Sequence, residues 1–463
     1  MRDPKPRRNQ APSLAGKLRK HSAWLLLLWF VLSLYLFLSA TPPAAAPLRR
    51  STFLRPKPRA LSATTAAAGE PPVRIYVYDL PARFNRDWVA ADARCARHLF
   101  AAEVAVHEAL LSYAGRAARP EDADLFFVPV YVSCNFSTSN GFPSLSHARG
   151  LLADAVDLVR TEMPYWNRSA GADHVFVASH DFGACFHPME DVAIADGIPE
   201  FLKRSILLQT FGVTGHHVCQ DVEHVVIPPH VPPTWLVSYR SRRRLRGTFL
   251  PSSEGNWSST PRTLAVVSTA SKHLLSTLAL LAVASSNNYP RMITSKRLIS
   301  GWKVRTELLQ YYGRNKKFYL KRKRFDNYRS EMARSLFCLC PLGWAPWSPR
   351  LVESVLLGCI PVIIADNIRL PFPSVVRWPD ISLQVAEKDI ASLEMVLDHV
   401  VATNLTVIQK NLWDPVKRKA LVFNRPMEVG DATWQVLREL EVLLDRSERR
   451  RYAGSWRRWR PER

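Results

Sequence analysis

The strongest constraint on this chain is a run of 19 uncharged residues near its amino terminus, Ser22 to Ala40, reading SAWLLLLWFVLSLYLFLSA. A helix of about 20 apolar residues crosses the hydrocarbon core of a bilayer. Seven Lys/Arg precede the run, and Arg49 and Arg50 follow only after a gap, an asymmetry that keeps the amino terminus in the cytosol. A cleaved signal peptide is the alternative, and Ala44 to Ala46 offers small residues for a cut. The run is nevertheless longer than the roughly 7–15 residues of a signal h-region. Residues 41–72 then carry seven Pro among many Ala, Ser and Thr, which makes an extended spacer rather than a core. The expected layout is a cytosolic tail (1–21), a signal-anchor (22–40), a stem (41–72) and a lumenal body. This is the arrangement of a single-pass type II Golgi membrane protein.

Charge is the next test, because a net +23 over 463 residues invites a polyanion-binding reading. Residues 1–59 contribute +11 and residues 446–463 contribute +6, while 303–324 holds nine basic residues and one acid. The remainder of the body is close to neutral. A nucleic-acid binder spreads basic surface over its folded domain, so a nucleic-acid partner is not expected. The 303–324 run is a solvated face or a contact for an anionic substrate.

The seven cysteines (95, 134, 185, 219, 338, 340 and 359) are odd in number, so at least one stays unpaired. Their spacing fits no zinc site. Cys338 and Cys340 lie in a strand-like run that points both side chains to one face, as buried or disulfide-linked residues. Sequons at Asn135, Asn167, Asn256 and Asn404 are candidate glycosylation sites.

The body alternates strands and helices. Val73–Tyr78, Leu125–Val132, His174–Ser179 and Val222–Ile227 read as strands, with helical stretches near 95–115, 148–162 and 199–209. A Pro- and Arg-rich linker follows. Beyond it, Leu336–Leu339 and Ile360–Ala365 read as strands, and 330–335, 348–357, 390–401 and 431–444 as helices. Such alternation implies parallel, doubly wound sheets. The expected fold is α/β, with a Rossmann-like acceptor domain (73–235), a linker (236–261), a Rossmann-like donor domain (262–445) and a basic tail (446–463). Two such halves facing a cleft are the GT-B architecture, with the site at the carboxyl ends of the strands.

Three motifs could carry chemistry. Asp122-Ala-Asp124 matches a D-x-D metal motif, but it precedes its strand instead of following it, so it reads as loop polarity and no metal is expected of it. Ser179-His-Asp-Phe-Gly-Ala-Cys-Phe-His187 directly follows a strand. There His180 or Asp181 could take a proton from an acceptor hydroxyl, with His187 as an acceptor contact; capping of the following loop is the alternative. The third is Pro341-Leu-Gly-Trp-Ala-Pro-Trp-Ser-Pro-Arg350-Leu-Val-Glu353, a Gly/Pro-rich loop that opens a helix. A helix amino terminus beside an Arg suits a diphosphate, and a carboxylate suits ribose hydroxyls. The expected donor set is Arg350, Glu353, Gly343 and Ser348, with an i, i+3 ion pair as the alternative for Arg350 and Glu353.

At these residues the chain resembles the exostosin-type glycosyltransferases of family 47. The shared stretches are IYVYDLP (75–81), ADLFFVPVY (123–131), SHDFGACFH (179–187), VIPP (226–229), FCLCPLGWAPWSPRLVES (337–354), GCIPVIIAD (358–366) and LPFP (370–373). It is most similar to the plant fragile-fiber branch, the glucuronosyltransferases of glucuronoxylan synthesis. The resemblance implies an inverting GT-B enzyme of the Golgi with a UDP-sugar donor, no obligatory cofactor and no metal. It also implies a xylan-type acceptor, a role in secondary walls, and other xylan-synthesis glycosyltransferases as partners. By motif matching it places Arg350 and Glu353 at the donor.

The resemblance breaks after Arg262. The family runs there into an apolar strand and a Gly/Lys-containing loop near the donor phosphates, whereas this chain reads TLAVVSTASKHLL and has no Gly from 263 to 300. Close backbone approach to a phosphate normally needs Gly. The expected account is an altered splice form or gene-model error, which a full-length transcript with the same segment would remove; a genuine segment would count against donor binding. Two other readings stand beside the leading one. One is a non-catalytic Golgi subunit organising a xylan-synthase complex, and the other is galactosyl, arabinosyl or xylosyl transfer to another wall polysaccharide.

Overall fold

The computed structural model describes residues 73–137, 142–163, 165–234, 263–266, 296–321, 327–343 and 345–445. The 22–40 run, the stem, most of the 263–298 segment, Asn256, Trp344 and the basic carboxyl tail lie outside them. Among the described residues no single helix is long and apolar enough to cross a membrane.

The first half is a five-stranded sheet of β1 (Ile75–Val77), β2 (Leu125–Phe127), β3 (His174–Ala178), β4 (Ile206–Gln209) and β5 (Glu223–Val226), paired in chain order and all parallel. Strand periodicity explains its two coats. Ile75, Val77, Leu125, Phe127, Val175, Val177, Ile206 and Leu208 face one side, and Tyr78, Phe126, Phe176 and Leu207 the other. Helix α1 (Ala102–Leu111) covers the first face with Ala102, Ala105, Val106 and Leu110. Helix α2 (Ala148–Glu162) covers the second with Ala148, Leu152, Ala155, Val156 and Val159, spaced at helical period. Strands buried on both faces need such continuous apolar runs.

One expectation is corrected here. The 199–209 stretch is not a helix: only Glu200–Leu202 makes a short 3₁₀ turn, and Ile206–Gln209 is β4, between β3 and β5. A four-residue apolar run carries no period of its own, and the sheet position decides it.

The second half is a sheet in the order β10-β9-β8-β6-β7, again parallel throughout. Its strands are β6 (Thr263–Val266), β7 (Phe318–Lys321), β8 (Phe337–Pro341), β9 (Ile360–Ile364) and β10 (Leu383–Gln384). Helix α3 (Lys296–Tyr312) precedes β7, and α4 (Arg350–Leu357) joins β8 to β9. The strand order reverses between β6 and β8, which is where open α/β sheets bind ligands. Helix α4 ends at Gly358, with φ +78°; a Cβ there would meet Trp413 Cζ2 at 2.2 Å. The turn needs glycine both for its left-handed backbone and for the close ring. Together the two halves are the expected GT-B arrangement of paired Rossmann-like sheets.

The halves are tied at several points. Thr214 N donates to Asn367 O (2.7 Å) and Arg369 N to Gly212 O (2.8 Å). The last helix, α5 (Ala432–Asp445), packs on α1 and β5 of the first half, although sequence order assigns it to the second. Arg425, on the approach to α5, reaches Glu108 (2.7 Å) and the Ala96 carbonyl (3.0 Å). Disulfides join Cys95 to Cys134, Cys185 to Cys219 and Cys338 to Cys359, leaving Cys340 as the buried odd thiol. Each closes a loop of 21–39 residues, typically worth about 2–4 kcal/mol.

Candidate active site

The segment after β3 presents His180 and Asp181 at the carboxyl end of the sheet. The Asp181 amide donates to His180 Nδ1 at 2.8 Å. That bond makes Nδ1 the acceptor and assigns the ring proton to Nε2. The 3.3 Å approach of Nδ1 to Asp181 Oδ2 is then a contact and not an ion pair. Burial pushes His180 down to about 3, which keeps it neutral. Its Nε2 is buried with no hydrogen-bond partner among the described residues. Burial also pushes the Asp181 carboxyl up to about 7. An acid near neutrality is suited to general base work, whereas an imidazole at about 3 is a poor base. Burial thus moves in opposite directions two candidates that the sequence leaves equal.

Local backbone chemistry fixes the pair. Gly183 has φ +44°, and a Cβ there would lie 2.1 Å from Gln209 Oε1. Gln209, at the end of β4, accepts from Ala184 N at 2.9 Å. Thr210 Oγ1 donates to Ser179 O at 2.9 Å. His187 lies at the end of the same segment, half-buried, with Nε2 3.1 Å from Asp196 Oδ2. It is engaged with that carboxylate, and burial lowers its pKa.

The loop after β8 meets this region from the other half. Ala345 and Trp347 are buried in the first half's core, not their own. The Trp347 ring sits edge-on to Phe100 (5.7 Å between centroids), and Phe100 stacks on His180 at 4.2 Å. Trp347 Nε1 is a second buried N–H without a partner among the described residues. The two motifs read separately from the sequence thus converge on one phenylalanine that neither contains.

The residues expected at a donor lie along this loop and the start of α4. Gly343 N bonds Ala345 O (3.1 Å), folding the loop tightly. Ser348 Oγ accepts from Arg350 N at 3.3 Å, at the start of α4. Arg350 Nε is buried without a hydrogen-bond partner among the described residues. Glu353 accepts from Tyr328 Oη at 2.7 Å, and among the described residues no ion pair joins it to Arg350. Burial drives the Tyr328 hydroxyl far above its usual range. Arg305, on α3, donates from Nε to Leu342 O (3.2 Å). Burial, with the Arg350 charge nearby, pushes its pKa down to about 9. Arg305, Tyr328 and Phe100 were not legible as site residues. Arg305 is hidden in the basic run, and Tyr328 lies 25 positions before the acid it meets.

The remaining candidates fall elsewhere. Asp122 pairs with Arg119, and Asp124 accepts from Arg74 N at 3.0 Å, both in the loop before β2. No cluster of three or more His, Cys, Asp or Glu among the described residues is arranged to hold a metal. In the basic run, Lys317 pairs with Glu394 and Asp398 and Lys321 lies over the Tyr319 ring; Lys323 is outside the described residues. Asn167 and Asn404 are exposed, while Asn135 is half-buried beside His147.

Comparison with known proteins agrees with the motifs. Residues 69–400 match the model of the Exostosin GT47 domain. A protein of Oryza sativa subsp. japonica named "Probable glucuronosyltransferase" is 69% identical over 98% of this chain and 99% of its own length. An Arabidopsis thaliana protein named "Probable glucuronoxylan glucuronosyltransferase" is 52% identical over 93% of this chain and 88% of its own. Among solved structures, Anabaena HepE in complex with UDP and glucose aligns with 70% of this chain and 79% of its own, at 12% identity and a TM-score of 0.32, too distant to bear on the site.

Proposed function

This chain belongs to the exostosin GT47 family of glycosyltransferases, and we propose that it transfers a glucuronosyl group from a UDP-linked donor to a xylan-type acceptor in the Golgi. In this reading it is a single-pass type II membrane enzyme of secondary-wall glucuronoxylan synthesis, held by the 22–40 signal-anchor. The observation that carries it is the meeting of the loop after β8 with the segment after β3 at Phe100. It brings a nucleotide-suited helix start and a neutral-range carboxyl to one place. The names of the relatives supply the sugar and the polymer.

Arg350 and the start of α4 hold the diphosphate, with Gly343 and Ser348 shaping the loop, and Glu353 binds the ribose hydroxyls. Asp181 takes the proton of the acceptor hydroxyl. That oxygen bonds to the anomeric carbon, the bond from that carbon to the β-phosphate oxygen breaks, and UDP leaves with the electron pair, inverting the centre. His180 Nε2–H donates to a substrate oxygen, and His187 contacts the acceptor. Asn135, Asn167, Asn256 and Asn404 are the candidate glycosylation sites, and among the described residues Asn167 and Asn404 are the exposed ones. The Golgi membrane and other xylan-synthesis glycosyltransferases are the expected partners.

The absence of Gly from 263 to 300 favours a second reading, a non-catalytic subunit of a xylan-synthase complex. A panel of UDP-sugars with xylo-oligosaccharides separates the two. Turnover with UDP-glucuronic acid supports the proposal, and turnover only with UDP-xylose, UDP-galactose or UDP-arabinose reassigns the donor. No turnover, with no stabilisation by UDP, leaves the subunit.

A further inference from the structure

Helix α1 starts directly after the phenylalanine that stacks on His180, and its first turn carries a carboxyl that no motif accounts for. Glu103 is 2% exposed. Its Oε2 accepts from the Ser133 amide (3.0 Å), and its Oε1 lies 2.8 Å from Ser133 Oγ and 3.4 Å from Ser179 Oγ. Ser133 lies in the short 3₁₀ turn Val132–Cys134 beyond β2, and Ser179 directly follows β3, so one side chain ties the segments leaving two adjacent strands to the start of α1. Ser179 Oγ also donates its only hydrogen to Phe100 O at 2.6 Å. The same cluster therefore holds the residue before His180 and the ring stacked on it.

Hydrogen counting indicates which form of Glu103 fits. Ser179 has one O–H, already given to Phe100 O, so its contact with Oε1 is satisfied when the carboxyl brings a hydrogen of its own. Burial pushes Glu103 up to about 8. Tyr131 senses the Glu103 charge, His107 Nδ1 lies 2.6 Å from Tyr131 Oη, and His180 follows Ser179 in the chain. Burial holds both histidines neutral, and among the described residues no cationic side chain pairs with Glu103. An unpaired buried carboxylate is costly, whereas the acid form satisfies every neighbour.

We propose that Glu103 is a positioning residue of glycosyl transfer, fixing through Ser133 and Ser179 the segment after β3 from which His180 and Asp181 project. The inference rests on the reading of Asp181 as base. Rates rise with pH as Asp181 ionises. They fall again as Glu103 ionises and the cluster loses the hydrogen it shares with Ser179.

The test compares full-length wild type, Glu103→Gln and Glu103→Ala, with turnover of UDP-glucuronic acid and a xylo-oligosaccharide measured against pH, and UDP affinity measured alongside. The expected result is an alkaline decline in the wild type near pH 8 that Glu103→Gln abolishes, since the amide brings a hydrogen at every pH. Glu103→Ala should lose about 10²-fold in kcat, the scale of a misplaced catalytic group, with UDP affinity unchanged. If Glu103→Ala does not fold, the pH profile of Glu103→Gln decides alone. An alkaline limb that is the same in wild type and Glu103→Gln overturns the inference and leaves the proposed function standing. A wild type with no turnover and no UDP affinity overturns both.

Discussion

The ends of β3 and β8 are both carboxyl ends of parallel strands, yet they are built for different chemistry. After β3 stand groups whose protonation burial has moved, with His180 down to about 3 and Asp181 up to about 7. After β8 stand Arg350 and a Tyr328-bonded Glu353, with Arg305 reaching the same loop from α3. In the proposed function, the first end takes a proton near neutral pH, and the second presents fixed charge and directed donors. The difference teaches that burial tunes protonation at one strand end while the other gathers permanent charge, a division that suits the proposed roles of base and electrostatic clamp. Phe100 and Trp347 are where they meet.

The comparison breaks most sharply at Asp181. Asp181→Asn should cut kcat about 10³-fold, within the range for losing a general base, while UDP affinity, measured by calorimetry, stays unchanged. An equal loss in UDP affinity would place Asp181 with the donor set. Next comes the junction. Trp347→Ala removes the indole that links the halves through Phe100, and truncating a buried Trp costs about 3 kcal/mol, read as a lower melting temperature together with slower turnover. The reverse signature to Asp181 belongs to Arg350. Arg350→Ala should weaken UDP by about 1.5–3 kcal/mol, the scale of a charged hydrogen bond, with a smaller loss for UMP.

The smallest effect is on stability against pH. His107, His180 and His230 are held by burial well below 6.5 in the fold, so the unfolded chain binds more protons in acid and stability rises with pH up to about 6.5. Asp181 and Glu103 are raised to about 7 and about 8, so the fold retains protons that the unfolded chain releases, and stability falls across the neutral range. Melting temperature should therefore peak near pH 6.5 and decline beyond it, and a continued rise above pH 7 would contradict these assignments.

Much of this was legible in the sequence, for identifiable reasons. Strands such as His174–Ala178 are buried on both faces and so read as unbroken apolar runs, and α4 follows a loop rich in Pro and Gly. The Ile206–Gln209 strand was too short to show a period. Strand β7 hid inside a basic run, where Lys317 and Lys321 drew attention away from Phe318, Tyr319 and Leu320. The loops of both candidate motifs were visible because each follows an apolar strand. Their convergence was not, because Phe100 and Glu103 lie some 80 residues from His180 and about 250 from Trp347. Contacts at such separations leave no local pattern in a single chain. The split between His180 and Asp181 likewise depends on one backbone hydrogen bond and on burial, which residue types do not report.

The central claim is that the groups after β3 deprotonate an acceptor while the loop after β8 holds a UDP-sugar for direct displacement. It is tested most directly by incubating full-length wild type and Asp181→Asn with UDP-glucuronic acid and a xylo-oligosaccharide, and reading the anomeric configuration of the new linkage by NMR. The predicted result is a product with the donor's anomeric centre inverted, formed by the wild type and lost in Asp181→Asn although UDP still stabilises both proteins. A product with retained configuration, or equal product from both proteins, would contradict it.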